Sequence, residues 1–504
     1  MLLPSTADLS CYAGRMTLPC AALVVLCLSS APIQEGGAAH WPQFLGPGGA
    51  PRTDSQPTSL AFDLEQDVLW RAPLPAGASS PCIWEGRIFL TGHEEGRLIM
   101  LALDRTSGAE LWRHSVEFTP PPFYGHSDAS PAVPTACTDG ERVIFYFGDW
   151  GLIARNLDGE LLWEKPLPVP DDAIFGIGSS PILIDDMVIL SRDGCPDSSI
   201  RAFAAEDGEL LWQVPRLGFG YSFGTPYLWQ NAERLELIVA GTQRLTALDP
   251  ATGAELWRVT GLCSFVCTTP VGDAERLYFA AWSTGGAEGR ELVESLFGDE
   301  TFNAEQLADA AAAFARLDSD GDGKVTVEEL PPCRAKSAFG VADDNHDGVW
   351  DLEEYVPLHN LPKGPGKNLM IAVAAGGKGD VTGSHVTWSR RRGLPYVASP
   401  LLHEGRIWLL KSGGFVTCLD PKTGEAHFDR ERLDDRGEYY ATAVGVPGHV
   451  IVASGDGTIY VLKSADAFEL VTTVELGERI QATPAVVDGK VYVRTRTSLL
   501  AFGR

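Results

Sequence analysis

Positive charge is scarce in this 504-residue chain: 40 Lys and Arg stand against 67 Asp and Glu, a formal net charge of −27. Such a surplus repels phosphate backbones and anionic bilayer surfaces, which excludes nucleic acid as a general partner. Beyond the first 28 residues no apolar run is long enough to cross a bilayer, so no transmembrane segment is expected. The chain offers no C-x-x-C-H haem site, no H-E-x-x-H helix, no nucleophile elbow, and no P-loop despite KGPGK and GGKG. Cysteine is sparse too. Of ten, Cys11, Cys20 and Cys27 fall near the N-terminus, leaving Cys82, Cys137, Cys195, Cys263, Cys267, Cys333 and Cys418. That odd remainder requires at least one unpaired thiol. Cys263 and Cys267 are close enough to invite a bridge, but no cluster of His or further Cys stands beside them, which argues against zinc. Buried strand cysteines are the expectation.

What is present begins with an N-terminal address. Arg15 precedes the apolar run TLPCAALVVLCL, and small residues follow up to Gly37-Ala38-Ala39. A basic flank, a short apolar core and a small-x-small site make a secretory signal peptide, assigned to residues 1–39 with cleavage after Ala39. Cleavage after Ala31 would place Pro32 just beyond the scissile bond. A lipid anchor on Cys27 is the alternative, opposed by the bulk of Leu26 before it. The chain is therefore read as exported, to the periplasm or the extracellular space.

The 54 Gly and 34 Pro favour short strands joined by turns. A segment of the form A-x-D-x-x-T-G-x-x-x-W recurs, as ALDPATGAELW ending at Trp257 and ALDRTSGAELW ending at Trp112. Weaker copies end at Trp163, Trp212 and Phe428. Each reads as an alternating apolar strand, a tight turn and a second strand finishing on a large aromatic. A second landmark, a hydroxyl residue before proline, keeps step at Ser80-Pro81, Ser130-Pro131, Ser180-Pro181, Thr225-Pro226, Thr269-Pro270, Ser399-Pro400 and Thr483-Pro484, with Thr442 filling the same place without proline. These landmarks define eight units, each long enough for four short strands, the size of a propeller blade. The last unit runs out at Arg504 before its final strand, whereas DVLWRAPL carries Leu69-Trp70 with no unit before it. The fold class expected is all-β: an eight-bladed β-propeller closed by an N-terminal strand. Trp70, Trp112, Trp163, Trp212 and Trp257 are then packing residues between blades, with a ligand-stacking platform as the other reading.

These repeats resemble those of pyrroloquinoline-quinone-type β-propellers, which include quinoprotein dehydrogenases and the outer-membrane assembly lipoprotein of the β-barrel insertion machinery. The likeness runs from about Trp41 onward. WPQFLGP, GIGSSPIL and RRGLPYVASPLL further resemble a group of secreted bacterial propellers named for their repeat, in which Leu45 stands where arginine is usual. The resemblance implies two functional classes, a binding scaffold or a quinone (PQQ)-dependent dehydrogenase with cofactor and a further cation in the central funnel. The dehydrogenase reading lacks the Cys-Cys dipeptide that alcohol-oxidising quinoproteins carry beside the cofactor.

Between Pro270 and Pro400 the spacing grows to 130 residues, so about 80 more than a blade needs are inserted in the fifth unit, between LYFAAW and NLMIAVA. The division is thus propeller over 40–286, an α-helical insert over 287–366, and propeller again over 367–504. Within the insert, DSDGDGKVTVEE places Asp318, Asp320 and Asp322 at positions 1, 3 and 5 of a calcium loop, the Lys324 carbonyl at 7 and Glu329 at 12. A second copy, DDNHDGVWDLEE, offers Asp343, Asn345, Asp347, the Val349 carbonyl and Glu354. Hard oxygen ligands at this spacing wrap one Ca²⁺ each, and the pair resembles an EF-hand pair. Val325 and Trp350, at position 8 of each loop, are expected to join the loops as a short β-ladder. An Asn303-Gln306 capping pair precedes a helix whose face carries Leu307, Phe314 and Leu317, and Phe339 precedes the second loop as Phe314 does the first. Pro331-Pro332 cuts the first exit helix short, which favours constitutive over switching calcium.

Two polar clusters, YGHSDAS with His126 and Asp128 and GKGDVTGSHVTW with Asp380 and His385, are read as turn and edge chemistry. With no catalytic or quinone-binding residue assignable, the sequence reads as a calcium-binding scaffold for a protein or glycan in the cell envelope.

Overall fold

The computed structural model describes residues 40–504 apart from 120–128, 168–175, 194–197, 217–221, 284–296, 298–300, 304, 307–308, 338, 340–342, 344–346, 360–365 and 435. Eight four-stranded antiparallel blades form a β-propeller. The innermost strand of each blade is short: Cys82–Trp84, Cys137–Thr138, Ile182–Ile184, Tyr227–Gln230, Val271–Gly272, Leu401–His403, Val444–Val446 and Ala485–Val487. The two middle strands are buried on both faces because neighbouring blades sandwich them. Leu98 to Leu103 is accordingly buried throughout, not alternating as the repeat pattern suggests. The outermost strands do alternate, as in Glu110–Glu117, since only one face meets the next blade.

A ring of hydroxyl groups fixes the eight-fold count. The Ser80 N–H donates to Thr135 Oγ1 (2.9 Å), Thr135 to Ser180 Oγ (3.0 Å), Ser180 to Thr225 Oγ1 (3.0 Å) and Thr225 to Thr269 Oγ1 (3.2 Å). Thr269 donates to Ser399 Oγ (2.9 Å), Ser399 to Thr442 Oγ1 (3.0 Å), Thr442 to Thr483 Oγ1 (3.0 Å), and Thr483 back to Ser80 Oγ (3.0 Å). Each buried amide thereby finds an acceptor on the next blade. Blade 2 corrects the sequence reading: its ring member is Thr135, before Ala136, and Ser130-Pro131 lies outside the circle. The hydroxyl acceptor defines the position and proline does not.

At the rim, the repeat tryptophans join blades. Trp70, Trp112 and Trp163 donate Nε1 to the backbone carbonyls of Arg105 (3.1 Å), Leu157 (3.0 Å) and Ala205 (2.9 Å) of the following blade. Trp388, which the repeat search did not align, does the same to Pro421 (3.0 Å). Trp257 departs from the pattern: its Nε1 goes to Glu236 Oε2 within its own blade (2.8 Å).

Closure follows the expected route. Val68–Pro73 pairs antiparallel with Ser498–Phe502 as the outermost strand of blade 8, and the edge both would otherwise expose is removed. Ahead of it the chain forms a strap that no repeat announces. His40–Trp41 adds to the inner strand of blade 1, the Thr138 N–H donates to the Pro42 carbonyl on blade 2 (2.9 Å), and Thr53 and Pro51 exchange hydrogen bonds with Gly445 on blade 7. Arg52 Nη1 reaches the Leu402 carbonyl on blade 6 (3.2 Å), and the Gly489 N–H of blade 8 donates to Ser55 Oγ (2.7 Å). Residues 40–58 thus tie the inner strands of several blades together at one end of the ring. Leu45, at φ 62°, is buried within this strap.

In blade 5 the second strand, Arg276–Ala281, and the third, Leu369–Ala374, are paired neighbours, so the residues between them leave and re-enter the same blade. Among the described residues no helix is long and apolar enough to cross a membrane. The described cysteines, Cys82, Cys137, Cys263, Cys267, Cys333 and Cys418, are all unpaired, and burial pushes the Cys82 and Cys137 thiols upward. Cys195 and the presumed signal over residues 1–39 lie outside the described residues.

Candidate metal centre

The segment inserted in blade 5 builds its own core. Helix α1 (Ala310–Leu317) is capped by Asp309, whose carboxylate accepts from the Ala311 N–H (2.8 Å), and it buries Phe314 and Leu317. Asn303 and Gln306 cap each other reciprocally at 2.9 Å, as their spacing predicted. Leu307 lies outside the described residues. After the first loop the chain turns helical again at Arg334–Ser337 (α2), and Phe339 is helical too, consistent with Pro331-Pro332 delaying the start. Helix α3 (Leu352–His359) follows the second loop. Phe297, Phe314, Phe339, Trp350 and Tyr355 pack together between them, with Phe339 and Trp350 stacked at 4.4 Å.

The loops join as the sequence implied. Val325 pairs with Trp350 and Thr326 with Val349 in a two-residue antiparallel ladder. In the first loop one carboxylate oxygen from each of Asp318, Asp320 and Asp322 lies within 4.8 Å of the others, around one point. The backbone holds them there: Asp318 accepts from the Gly321 N–H (2.7 Å) and Gly323 N–H (2.9 Å), and Asp322 from the Lys324 N–H (2.8 Å). Gly323 has φ 84°, so the sharp turn at position 6 needs glycine. Glu329 folds back to accept from Thr326 N–H (2.8 Å) and Ser319 N–H (2.9 Å). The Thr326 amide above all holds its carboxyl down to about 2. The carboxylate is therefore ionised at any physiological pH, as a hard cation requires.

In the second loop Asp343 is buried and accepts from Asp347 N–H (3.1 Å) and Gly348 N–H (3.0 Å), the counterpart of Asp318. Asp347 accepts from the Val349 N–H (3.1 Å), and Glu354 from the Asp351 N–H (3.1 Å). Asn345 lies outside the described residues. Lys324 Nζ reaches across to Asp347 Oδ2 at 4.0 Å, linking the two loops.

Among the described residues, the polar cluster of Asp380 and His385 does not assemble a site. Asp380 is exposed, holds the Thr382 N–H (3.0 Å) and pairs along the outer strand of blade 4. His385 turns locally onto Ser384 (2.9 Å). His126 and Asp128 lie outside the described residues. Residues 220–224 spell GYSFG, the letters of a nucleophile elbow that the sequence reading passed over. Ser222, however, bridges in parallel to Val266 and leads into the strand Tyr227–Gln230, where an elbow would lead into a helix.

Residues 56–188 and 196–294 match the family model described as outer membrane protein assembly factor BamB, and residues 310–330 match an EF-hand model. No curated protein matches the sequence. Among solved structures, BamB from Moraxella catarrhalis is 13% identical over 89% of this chain and 99% of its own, with a TM-score of 0.48. A quinohemoprotein alcohol dehydrogenase from Comamonas testosteroni is 14% identical over 92% and 81%, at 0.50, and a europium-containing methanol dehydrogenase is 10% identical over 93% and 99%, at 0.52. At these identities the likeness speaks to the fold alone.

Proposed function

Starting from a chain whose propeller is built of BamB-like, pyrroloquinoline-quinone-type repeats, we propose a calcium-binding, exported protein that acts as a binding or scaffolding module in the cell envelope. The observation that carries the calcium part is the convergence of Asp318, Asp320 and Asp322 beside a loop-to-loop ladder at Val325 and Trp350. Asp318, Asp320, Asp322, the Lys324 carbonyl and Glu329 would hold one ion, and Asp343, Asn345, Asp347, the Val349 carbonyl and Glu354 a second. The insert over 287–366 serves as a constitutive rather than a switching calcium unit, since Pro331-Pro332 keep a long exit helix from following the first loop directly.

The scaffolding part is supported by the closed ring of eight blades and by the description of the matching family as an assembly factor. Buried carboxylates among the described residues are Asp67, Asp193, Glu236 and Asp343. Asp193 is held in a two-point pair with Arg216 (2.7 and 2.8 Å), Asp67 by Arg504 (2.9 Å) and Glu236 by Arg234 (2.8 Å), while Asp343 belongs to the second loop. These four are thus already engaged. Calorimetric titration of the mature protein with Ca²⁺ and, separately, with the quinone tests both parts. Two calcium sites, lost in Asp318→Ala/Asp343→Ala, and no quinone heat or absorbance are expected. Quinone binding with substrate-dependent dye reduction would replace the scaffold by the dehydrogenase.

A further inference from the structure

One motif is left without a role by everything above: Arg390-Arg391-Arg392-Gly393-Leu394, the exit from the outer strand of blade 5. Gly393, at φ 68°, brings this turn flat against blade 6, where an added Cβ would lie 2.8 Å from Thr417 Oγ1. The approach forms a half-open cleft of about 460 Å³ walled by Trp282, Arg391, Arg392, Leu394, Lys411 and Arg430, of which Arg391, Arg392 and Arg430 are exposed. Four of those six side chains are cationic in a chain that carries −27 overall. Arg390 is paired with the Asp429 carboxylate and donates Nε to the Arg392 carbonyl. Arg391, Arg392 and Lys411 have no carboxylate partner among the described residues. Lys411 instead places Nζ 5.8 Å from the centroid of the Trp282 ring, and Arg430 shares Asp429 at a loose 3.8 Å.

Uncompensated like charges gathered around one cavity repel one another, and a bound anion removes that cost. Guanidinium forks match planar or tetrahedral oxyanions in two-point contacts. The volume falls in the range of small-molecule sites, and an indole beside the cations offers a flat wall for an apolar ring face. We propose that this cleft between blades 5 and 6 binds an acidic saccharide, a sugar bearing sulfate or carboxylate groups, with Arg391, Arg392, Lys411 and Arg430 on the oxyanions and Trp282 against the sugar ring. The site goes beyond the calcium reading, and the two titrations fail separately.

Calorimetry on the mature chain in calcium buffer, with a sulfated heparin-derived disaccharide, digalacturonate, cellobiose and inorganic sulfate, tests it and tells the two oxyanions apart. One or both acidic sugars are expected to bind, with affinity falling as NaCl rises from 50 to 500 mM, and cellobiose is expected not to bind. Arg392→Gln with Lys411→Gln should weaken binding at least tenfold at an unchanged melting temperature, and Trp282→Phe should weaken the sugar more than sulfate. Equal binding of cellobiose, sulfate alone binding as tightly as the sugars, or an unchanged affinity in the double variant would each overturn the proposal. So would failure of both acidic sugars to bind.

Discussion

The indole of Trp70 lies directly over Gly108, so that a Cβ at residue 108 would stand 2.5 Å from Trp70 Cε3. This contact welds blade 8 to blade 1, and the same arrangement recurs as Trp112 over Gly159, Trp163 over Gly208 and Trp212 over Gly253. At Gly108 φ is 72°, which an L side chain resists independently of the clash. Gly108→Ala is expected to destabilise the protein by about 2 to 5 kcal/mol, from overpacking and backbone strain together. Denaturant unfolding measures it. A loss below 1 kcal/mol would mean that the joint yields freely.

The hydroxyl ring makes a prediction that separates structure from letter pattern. Thr135→Val keeps the shape but removes the acceptor for the buried Ser80 N–H, costing about 1 to 3 kcal/mol. Thr135→Ser should cost far less, and Ser130→Ala should fall within about 0.5 kcal/mol of the parent. If Ser130→Ala proves the more damaging, blade 2 has been aligned wrongly.

Acid should loosen the closing strand. Burial acts to raise the Asp67 carboxyl, but hydrogen bonds from Ser59, Arg504 and the Asp63 N–H, with the Arg504 charge, outweigh it and hold it below the usual range. A carboxyl depressed in the folded state contributes stability that is present above the unfolded value of about 3.9 and is lost as pH falls through the folded value. Stability is therefore expected to drop from near pH 4 downward. Asp67→Asn should flatten that slope. An identical acid profile in the variant would remove Asp67 from the account.

Calcium should raise thermal stability by mass action. With free ion at 100 times Kd the folded state gains about 2.7 kcal/mol per site, read as a rise in Tm on adding calcium to chelated protein. Asp318→Ala/Asp343→Ala should melt at one temperature with or without calcium. A Tm rise preserved in that variant would point to an ion held elsewhere.

Periodic features were legible in the sequence because repetition multiplies a weak signal. Eight blades, closure through Leu69-Trp70 and the Val325 to Trp350 ladder all emerge from spacing alone. Blade 2 was misaligned because Ser130-Pro131 carries the letters while Thr135-Ala136 carries the chemistry, and only the acceptor's position around the ring distinguishes them. The strap over residues 40–58 occurs once, and its partners at Leu402, Gly445 and Gly489 lie hundreds of residues away, so no local pattern encodes it. The cationic cleft was hidden for a related reason: Arg391, Lys411 and Arg430 sit on separate strands and turns that meet only when blades 5 and 6 pack.

The closing strand also has a consequence in time. Arg71 Nε donates to Ser498 Oγ across 427 positions of sequence, so one of the earliest strands made has to wait for the last before it can pair. Blades 1 to 7 each take their strands from one stretch of the sequence, yet the circle cannot be completed until Val68–Pro73 meets Ser498–Phe502. Chains in which these two strands have not met carry an open seam between blades 8 and 1, and their pairing is the step at which the edge disappears.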